Sequence, residues 1–288
     1  MAHPFKFKLF SDIHLELGAV TIHKLDQEPY RSLLDPCGAD FLVLAGDVGK
    51  PRLPLYTELL VLAAARFKRI FIVMGNHEYY NGSSKEEVDV DMRCWLSELN
   101  HTFRIAHKVV LLDRNEDDAQ VYLPECNLRV LGCTLWSWIP PEAAREAAEG
   151  LNDFRMIGTR SKDPTKPRRR CNVEDYNSWH VTDRQWLEDQ IYKAQLKGER
   201  LVVVTHHAPT RHETSAPQFR GQGGIGHCFS TDLDELLEMT DVLCWCFGHT
   251  HFSTDMQWKG TRVVANQVGY FHERREAQQW DARKVISL

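Results

Sequence analysis

Five apolar segments of this 288-residue chain each end in a short cluster of aspartate, asparagine or histidine residues. Each segment is rich in β-branched or aromatic residues and runs straight into a polar turn, which predicts a β-strand followed by a loop. The clusters are SDIH with Asp12 and His14, GD with Asp47, GNHE with Asn76, THH with His206, and GHTH with His249 and His251. Carboxylate, amide and imidazole groups are common metal ligands, so a fold that brings these strand ends together would form a metal site.

The order of the predicted elements indicates an α/β fold. Apolar residues at helical spacing in 53–67 lie between strands at 41–47 and 69–76, and this βαβ unit implies a right-handed parallel crossover. The carboxyl ends of parallel strands meet at one edge of a sheet, where α/β proteins bind their ligands. If the five strands share a sheet, we expect the five clusters to converge on one crevice.

The middle of the chain interrupts this regular alternation. From about 139 to 178 it contains a proline pair, an Ala- and Glu-rich helical piece and the basic loop SKDPTKPRRR. We interpret this segment as an insertion, or cap, over one face of a single domain that spans residues 1–288. Around it, the pattern predicts further helices at 84–99, 180–196 and 230–239, and a closing hairpin at 254–266.

The number of candidate ligands indicates two metal ions. One cluster alone has a structural explanation, because Asp and Asn commonly occupy turns and helix N-caps. Together the clusters supply seven ligand residues, which are too many for one ion and suit two ions that share a carboxylate. Asp47 suits the shared position, since two cations about 3.5 to 4 Å apart need an anion between them. Four imidazoles and no thiolate favour Mn, Fe or Zn ions over Mg²⁺ or Ca²⁺.

The five clusters resemble the signature of the calcineurin-like metallophosphoesterases, over residues 12 to 251. In chain order they read D-x-H, GD, GNHE, H and GHxH. The resemblance implies a four-layer α-β-β-α sandwich of two mixed β-sheets flanked by helices. It also implies hydrolysis of phosphomonoesters or phosphodiesters by a hydroxide that bridges two metal ions. By the same resemblance, the first ion is bound by Asp12, His14, Asp47 and His251, and the second by Asp47, Asn76, His206 and His249.

His77 resembles the catalytic histidine of that family. It would act as a general acid for the leaving oxygen or stabilise the transition state. The alternative is that it only orients a neighbouring ligand through a hydrogen bond. Glu78 is expected to support the ligands from outside the metal site. His207 follows His206 on an extended strand and faces the other way, so we expect a structural role for it.

The sequence leaves the substrate open. Serine/threonine phosphatases of this family resemble GDxVDRG and RGNHE, whereas this chain has GDVGKPR and MGNHE, so an arginine-based phosphate clamp of that type is missing. We expect a phosphorylated small molecule or a nucleotide as the substrate. Three residues in the loops between the clusters are candidate phosphate contacts: Arg155, Arg211 and His212.

Two other functions stay open. A nuclease similar to the double-strand-break repair enzyme of this family would need a basic groove, whereas this chain has a net charge of −5 from 35 basic and 40 acidic residues. Nucleic acid is therefore possible as a partner but not favoured. A non-catalytic interaction module, like the retromer subunit with this fold, is expected to have degraded ligand clusters, and this chain keeps all five.

Composition and the N-terminus predict a cytoplasmic protein without membrane attachment. No apolar stretch is long enough to cross a bilayer, and MAHPFKFKLFSD lacks an apolar segment of signal-peptide length. The eight cysteines are scattered without a CxxC pair, which argues against a disulfide framework. The oligomeric state is left open by the sequence.

Overall fold

Two mixed β-sheets lie face to face at the centre of the structure, which is a computed structural model. It describes residues 4–17, 30–105, 108–114, 120–161, 163, 165–220, 223–239, 241–270 and 280–288. The first sheet has the spatial order β13 (Ile286–Ser287), β1 (Lys6–Phe10), β2 (Phe41–Ala45), β3 (Arg69–Val73) and β4 (Val109–Leu111). Strands β1 to β4 are parallel, and β13 pairs antiparallel with β1.

The second sheet has a parallel centre and antiparallel edges. Its spatial order is β11 (Thr254–Trp258), β12 (Thr261–Ala265), β10 (Val242–Phe247), β9 (Arg200–Thr205), β6 (Leu128–Cys133) and β5 (Gln120–Leu123). The hairpin of β11 and β12 is the one that the sequence predicted at 254–266. A small ribbon of β7 (Gly158–Thr159) and β8 (Arg169–Arg170) lies apart from both sheets.

Helices cover the outer face of each sheet. They are α1 (Tyr30–Leu34), α2 (Pro54–Ala64), α3 (Lys85–Thr102), α4 (Ala144–Gly150), α5 (Asp153–Met156), α6 (Val173–Leu196) and α7 (Asp234–Leu237). Residues of α1, α2 and α3 pack on the first sheet, and residues of α6 and α7 pack on the second. The predicted four-layer α-β-β-α sandwich is confirmed.

Side chains of the central strands point alternately to the two faces of their sheet, and this divides the hydrophobic core into three layers. In β2, Leu42 and Leu44 face the helices, whereas Val43 and Ala45 face the other sheet. Successive side chains of a strand point to opposite faces, so a strand that is covered on both faces needs apolar residues at every position. This explains why FLVLA reads as an unbroken apolar run, with all five residues buried.

The five ligand-bearing strands do not all share one sheet, which was the condition considered for their convergence. Strands β1, β2 and β3 belong to the first sheet, and β9 and β10 belong to the second. Apolar runs identify buried strands, but they carry no information about which of two stacked sheets a strand joins. The five strand ends still meet, because the two sheets present their carboxyl ends at the same edge of the sandwich. There the backbone N–H of His249 donates to the carboxylate of Asp12 at 3.1 Å.

Helix boundaries also differ from the sequence-based ones. The helix predicted at 180–196 begins at Val173, within the bounds of the predicted insertion, and the helix predicted at 230–239 is a single turn. The early start of α6 has a local cause: the Asn172 side chain accepts from the N–H of Asp175, whose carboxylate accepts from the N–H of Asn172. This reciprocal capping box satisfies N–H groups that the first helical turn leaves free.

The described part of the chain contains neither a membrane-spanning helix nor a disulfide. None of its helices is both long and apolar enough to cross a bilayer. All eight cysteines are free thiols. The cytoplasmic location and the single-domain organisation stay predictions.

The capping box at the start of α6 gives a stability prediction. Replacing Asn172 with Ala removes the side-chain acceptor, so we expect the free energy of unfolding to fall by about 1 kcal/mol. Urea denaturation followed by circular dichroism measures this change. As a control, the exposed mid-helix substitution Gln185→Ala should change the free energy of unfolding by less than about 0.5 kcal/mol. Equal free energies of unfolding for the two variants would show that the capping box contributes nothing to stability.

Candidate metal centre

The loops that follow the five strands are tied to each other through their backbones. The N–H of Asp12 donates to the carbonyl of Gly46 at 3.0 Å, and the N–H of His14 donates to the carbonyl of Asp47 at 2.9 Å. In the second sheet, the N–H of Gly248 donates to the carbonyl of His206 at 2.9 Å. Loops that bond to their neighbours in this way hold their side chains in fixed relative positions.

The backbone at the candidate ligands has an unusual conformation. Positive φ angles of 50° to 70° occur at Asp12, His14, Asp47, His249 and His251. This left-handed region is unfavourable for residues other than glycine, and such strain persists only where the surrounding structure fixes it, commonly at functional sites.

Two glycines leave the space that the ligands need. A Cβ atom at Gly46 would lie 2.4 Å from Nδ1 of His206, and a Cβ atom at Gly75 would lie 2.1 Å from Oδ1 of Asp47. Real Cβ atoms do not approach other atoms this closely, so a side chain at either position would displace a candidate ligand. Glycine is thus required at positions 46 and 75, because His206 and Asp47 lie too close to these positions for a larger residue.

The first group of candidate ligands contains Asp12, His14 and His251. One ligand atom from each of them lies within 4.8 Å of the other two. Nε2 of His251 is 3.4 Å from Oδ1 of Asp12 and 3.2 Å from Nε2 of His14. The group is enclosed, because Asp12 is fully buried and His14 is 4% exposed.

The second group contains Asp47, His206 and His249, whose ligand atoms also lie within 4.8 Å of one another. Asn76 joins this group, since its Oδ1 is 3.1 Å from Nε2 of His206. Asp47, Asn76, His206 and His249 are all buried. The structure therefore brings all seven predicted ligands to one site, in two groups.

The two oxygens of Asp47 face different groups. Oδ1 lies 3.4 Å from Nε2 of His206, whereas Oδ2 lies 4.0 Å from Nε2 of His14. A carboxylate in this position can donate one oxygen to each of two ions, which is the arrangement that a binuclear metal site requires.

Hydrogen bonds to the outer ring nitrogens direct the inner ones into the site. Nδ1 of His206 donates to the carbonyl of Ala45 at 2.9 Å, and Nδ1 of His14 donates to Glu16 at 3.2 Å, which directs Nε2 of both rings into the site. In His249 the roles are reversed, because Nε2 donates to the carbonyl of Cys228 at 3.3 Å and leaves Nδ1 free. Metal-binding histidines are commonly fixed through their second nitrogen in this way.

The electrostatics of the site favour cations. Burial acts to raise the pKa of Asp47, but the charges of His206 and His77 hold it well below its usual value. Burial lowers the pKa of His206, but the negative charge of Asp47 outweighs it and raises that pKa to about 9. Two buried carboxylates, Asp12 and Asp47, thus attract positive charge between them. Mn, Fe or Zn ions suit this set of donors, which consists of two carboxylates, the Asn76 amide oxygen and four imidazoles.

Glu78 lies outside the set of candidate ligands and holds the loops that carry them, as the sequence suggested. Its buried carboxylate accepts from the backbone N–H groups of Asp47 at 3.1 Å, Val48 at 2.9 Å and Gly75 at 2.8 Å. These bonds connect the loops after β2 and β3, so Glu78 fixes the position of Asp47 relative to Asn76.

Asp153 is a supporting residue that the sequence reasoning missed. Its Oδ1 accepts from Nδ2 of Asn76 at 2.8 Å and from the hydroxyl of Tyr80, and its Oδ2 accepts from the hydroxyl of Tyr176 at 3.1 Å. The bond to Nδ2 turns the amide oxygen of Asn76 toward His206. The sequence around this position, LNDFR, shows a polar residue here. Nothing in it indicates that Asp153 contacts Asn76, which lies 77 positions earlier.

His77 lies beside the first group, with both ring nitrogens engaged. Nδ1 donates to Oε1 of Glu16 at 3.0 Å, and Nε2 is 3.2 Å from the hydroxyl of Tyr270. Burial acts to raise the pKa of Glu16, but its hydrogen bonds with His14 and His77 lower that pKa to about 2. Burial lowers the pKa of His77, but the charges of Asp47 and Glu16 outweigh it, so the pKa is raised and the charged imidazolium is favoured. Sequence reasoning missed Glu16, although it lies two residues after His14.

The other predicted residues lie in different places. His207 is buried with its Nδ1 2.8 Å from the hydroxyl of Ser137, which fits a structural role. Arg211 lines a cavity beside the metal ligands, whereas Arg155 and His212 are not among the described residues that line it. Arg155 bonds to the carbonyl of Glu149, and the His212 ring stacks on Trp258 with centroids 3.5 Å apart.

Fold and site together define a metal-dependent phosphoesterase. The family model of the calcineurin-like phosphoesterases matches residues 5–253, and the chain belongs to this family. The resemblance seen in the sequence is thereby confirmed.

Individual known proteins are similar to this chain in sequence or in structure. An uncharacterized protein of Acanthamoeba polyphaga mimivirus is 27% identical over 274 residues, which are 92% of this chain and 91% of that protein. The crystal structure of phosphopantetheinyl hydrolase from Mycobacterium tuberculosis has a TM-score of 0.65 at 16% identity, covering 98% of this chain and 95% of that one. Protein TT1561 of Thermus thermophilus has a TM-score of 0.51 at 12% identity, with 99% of both chains covered. At these identities the two structures show the fold alone.

The role of Asp153 can be tested through metal affinity. Asp153→Ala frees the Asn76 amide to rotate, so we expect metal affinity to fall by about 10- to 100-fold. Asp153→Asn keeps an oxygen acceptor at the same place and should lose much less. Titration of metal-free protein with Mn²⁺, followed by calorimetry, measures both. Equal affinities of Asp153→Ala and wild type, with unchanged thermal unfolding, would remove Asp153 from the metal site.

Proposed function

We propose that this enzyme hydrolyses small-molecule or nucleotide phosphomonoesters or phosphodiesters at a centre of two Mn, Fe or Zn ions. The observation that carries the proposal is the placement of Asp47, whose two oxygens face two separate groups of ligand atoms. One ion would be bound by Asp12, His14, Asp47 and His251. The other would be bound by Asp47, Asn76, His206 and His249.

The protein's own residues determine what such a centre can do. Two divalent ions, when bound, lower the pKa of a water molecule between them and offset charge on phosphoryl oxygens. The burial of Asp12, Asp47 and His206 limits access of bulk water, so charges in the site are weakly screened. The site is therefore suited to stabilise the negative charge of a phosphoryl group.

His77 is suited to act on the leaving group. Glu16 fixes the ring through Nδ1, which leaves Nε2, 3.2 Å from the hydroxyl of Tyr270, as the nitrogen that faces the cavity. A protonated Nε2 can donate to the oxygen that leaves with the organic group. We infer that His77 is the general acid and that Glu16 holds it in place.

A small substrate is favoured over nucleic acid by the shape of the site. The candidate ligands open into a cavity of about 610 Å³, and this volume lies in the range of small-molecule sites. Outside this cavity, two basic residues of the predicted insertion are engaged locally: Arg169 pairs with Asp175 at 2.5 Å, and Arg170 bonds to the carbonyl of Met156 at 3.0 Å.

The central prediction for Asp47 concerns both metal content and activity. Asp47→Asn removes the shared negative charge, so we expect at least one of two bound ions and nearly all hydrolysis to be lost. Elemental analysis of protein loaded with Mn²⁺ gives the ion count, and phosphate release from p-nitrophenyl phosphate gives the activity. The matched control is Asp40→Asn, because Asp40 is partly exposed, pairs with Lys68 and lies just before the start of β2, at the end of the strand opposite the metal site. It should match the wild type.

The same assay decides between substrate classes. We expect wild-type protein with Mn²⁺ to hydrolyse a small phosphomonoester, bis(p-nitrophenyl) phosphate or a cyclic nucleotide faster than single-stranded DNA. Cleavage of DNA alone would replace the proposal with a nuclease. A wild-type protein that takes up no Mn²⁺ would refute a metal centre altogether.

His77→Ala separates metal binding from catalysis. Since His77 is not one of the seven proposed ligands, we expect the ion count to stay the same while kcat falls by about 10²- to 10⁴-fold. The exposed histidine His101 in α3 provides the control substitution His101→Ala, which should change neither quantity. Unchanged turnover of His77→Ala would assign His77 a structural role.

A further inference from the structure

The cavity beside the candidate ligands is larger than a phosphoryl group needs. It extends from His249 and His251 to the loop between α4 and α5 on one side, and to residues 211–220 and 223–230 on the other. Its volume of about 610 Å³ is enough for a drug-sized organic molecule. The part of the cavity beyond the metal ligands can therefore hold the organic group of a substrate.

The walls of this outer part are mainly apolar. Leu151, Ile225 and Phe229 line it, and the Phe229 ring stacks on His249 with centroids 4.9 Å apart. The apolar wall thus begins directly at a candidate metal ligand. Phe219 extends the wall toward solvent, and its side chain is 58% exposed, which is high for a phenylalanine. Apolar surface that stays open to water beside a reaction site gains free energy when an apolar ligand covers it.

Two arginines contribute positive charge to the same cavity. Arg220 already has partners, because its Nε donates to the carbonyl of Ser215 at 3.0 Å and its guanidinium lies 3.5 Å from Glu213. Arg211, in contrast, has no hydrogen bond or ion pair with any other residue that the structure describes. Apart from Asp47 at the metal site, no carboxylate is among the described residues that line the cavity.

We propose that the preferred substrates are organic phosphates with an apolar or aromatic body and a second anionic group, and that Arg211 binds this second group. This inference rests on the proposed function, since the metal centre would hold the reacting phosphate. The apolar wall then contacts the body of the substrate. An arginine suits the second anion, because its planar guanidinium bonds to a carboxylate or phosphate through two N–H groups at once.

Phosphonates that are not hydrolysed can test this division of the cavity. Inhibition of p-nitrophenyl phosphate hydrolysis would be measured with methyl-, propyl-, hexyl- and undecylphosphonate, and with the ω-carboxylated analogues of the longer three. For the wild type, we expect hexylphosphonate to inhibit more strongly than methylphosphonate. We expect at least one carboxylated analogue to inhibit about tenfold more strongly than the alkylphosphonate of the same length without the carboxylate.

The variants assign the two effects to particular residues. In Arg211→Ala, the ratio between each alkylphosphonate and its carboxylated analogue should fall to about one, and Arg211→Lys should keep part of it. In Phe219→Ala, the gain from a longer alkyl chain should shrink while the carboxylate ratio persists. Arg145→Ala is the matched control, because Arg145 is exposed, pairs with Glu149 in α4 and does not line the cavity. The Arg145→Ala variant should retain both the carboxylate ratio and the gain from a longer alkyl chain.

The outcomes distinguish this inference from the proposed function. If wild-type protein with Mn²⁺ does not hydrolyse p-nitrophenyl phosphate or any other phosphoester, the proposed function fails and this inference fails with it. If hydrolysis occurs but no carboxylated analogue binds more tightly than its counterpart, only this inference is overturned. A ratio that persists in Arg211→Ala would also overturn it, because another group would then bind the second anion.

Discussion

The position of one buried carboxylate, that of Asp47, determines the arrangement around it. Its two oxygens face two ligand groups, and each group combines residues from both sheets, so both sheets must present their carboxyl ends at the same edge. The N–H of His77 donates to Oδ1 at 2.9 Å, and Glu78 holds the backbone of the loop. A buried charge with too few partners would destabilise the protein, and the surrounding histidines, backbone donors and proposed cations prevent this.

Much of this arrangement was predictable from sequence because it depends on local patterns. An apolar strand followed by ligand-type residues recurs five times, and that recurrence identified all seven candidate ligands and the α/β class. Residues that act over long sequence distances were not predictable. Asp153 supports Asn76 from a segment that reads as an irregular insertion, and its partners become visible only when α5 and α6 are in place. The family resemblance implied two sheets, but the sequence did not show which strands belong to each, since each ligand-bearing strand is apolar on both faces.

The shared chemistry of the family and the specificity of this chain come from different parts of the structure. Strand ends supply the candidate ligands, whereas the walls of the cavity come from the loop between α4 and α5 and from residues 211–220 and 223–230. Loops can change without disturbing a rigid scaffold, so substrate choice can diverge while the metal centre is kept. The insertion contributes to both parts, because Asp153 orients a candidate ligand and Leu151 lines the cavity.

The claim that Asp47 lies between two metal ions can be tested most directly by anomalous diffraction from crystals of the protein loaded with Mn²⁺. The account predicts two anomalous peaks about 3.5 to 4 Å apart, with one oxygen of Asp47 directed at each ion. Asp12, His14 and His251 should contact one ion, and Asn76, His206 and His249 the other. A single peak, or two peaks that do not share Asp47, would contradict the account.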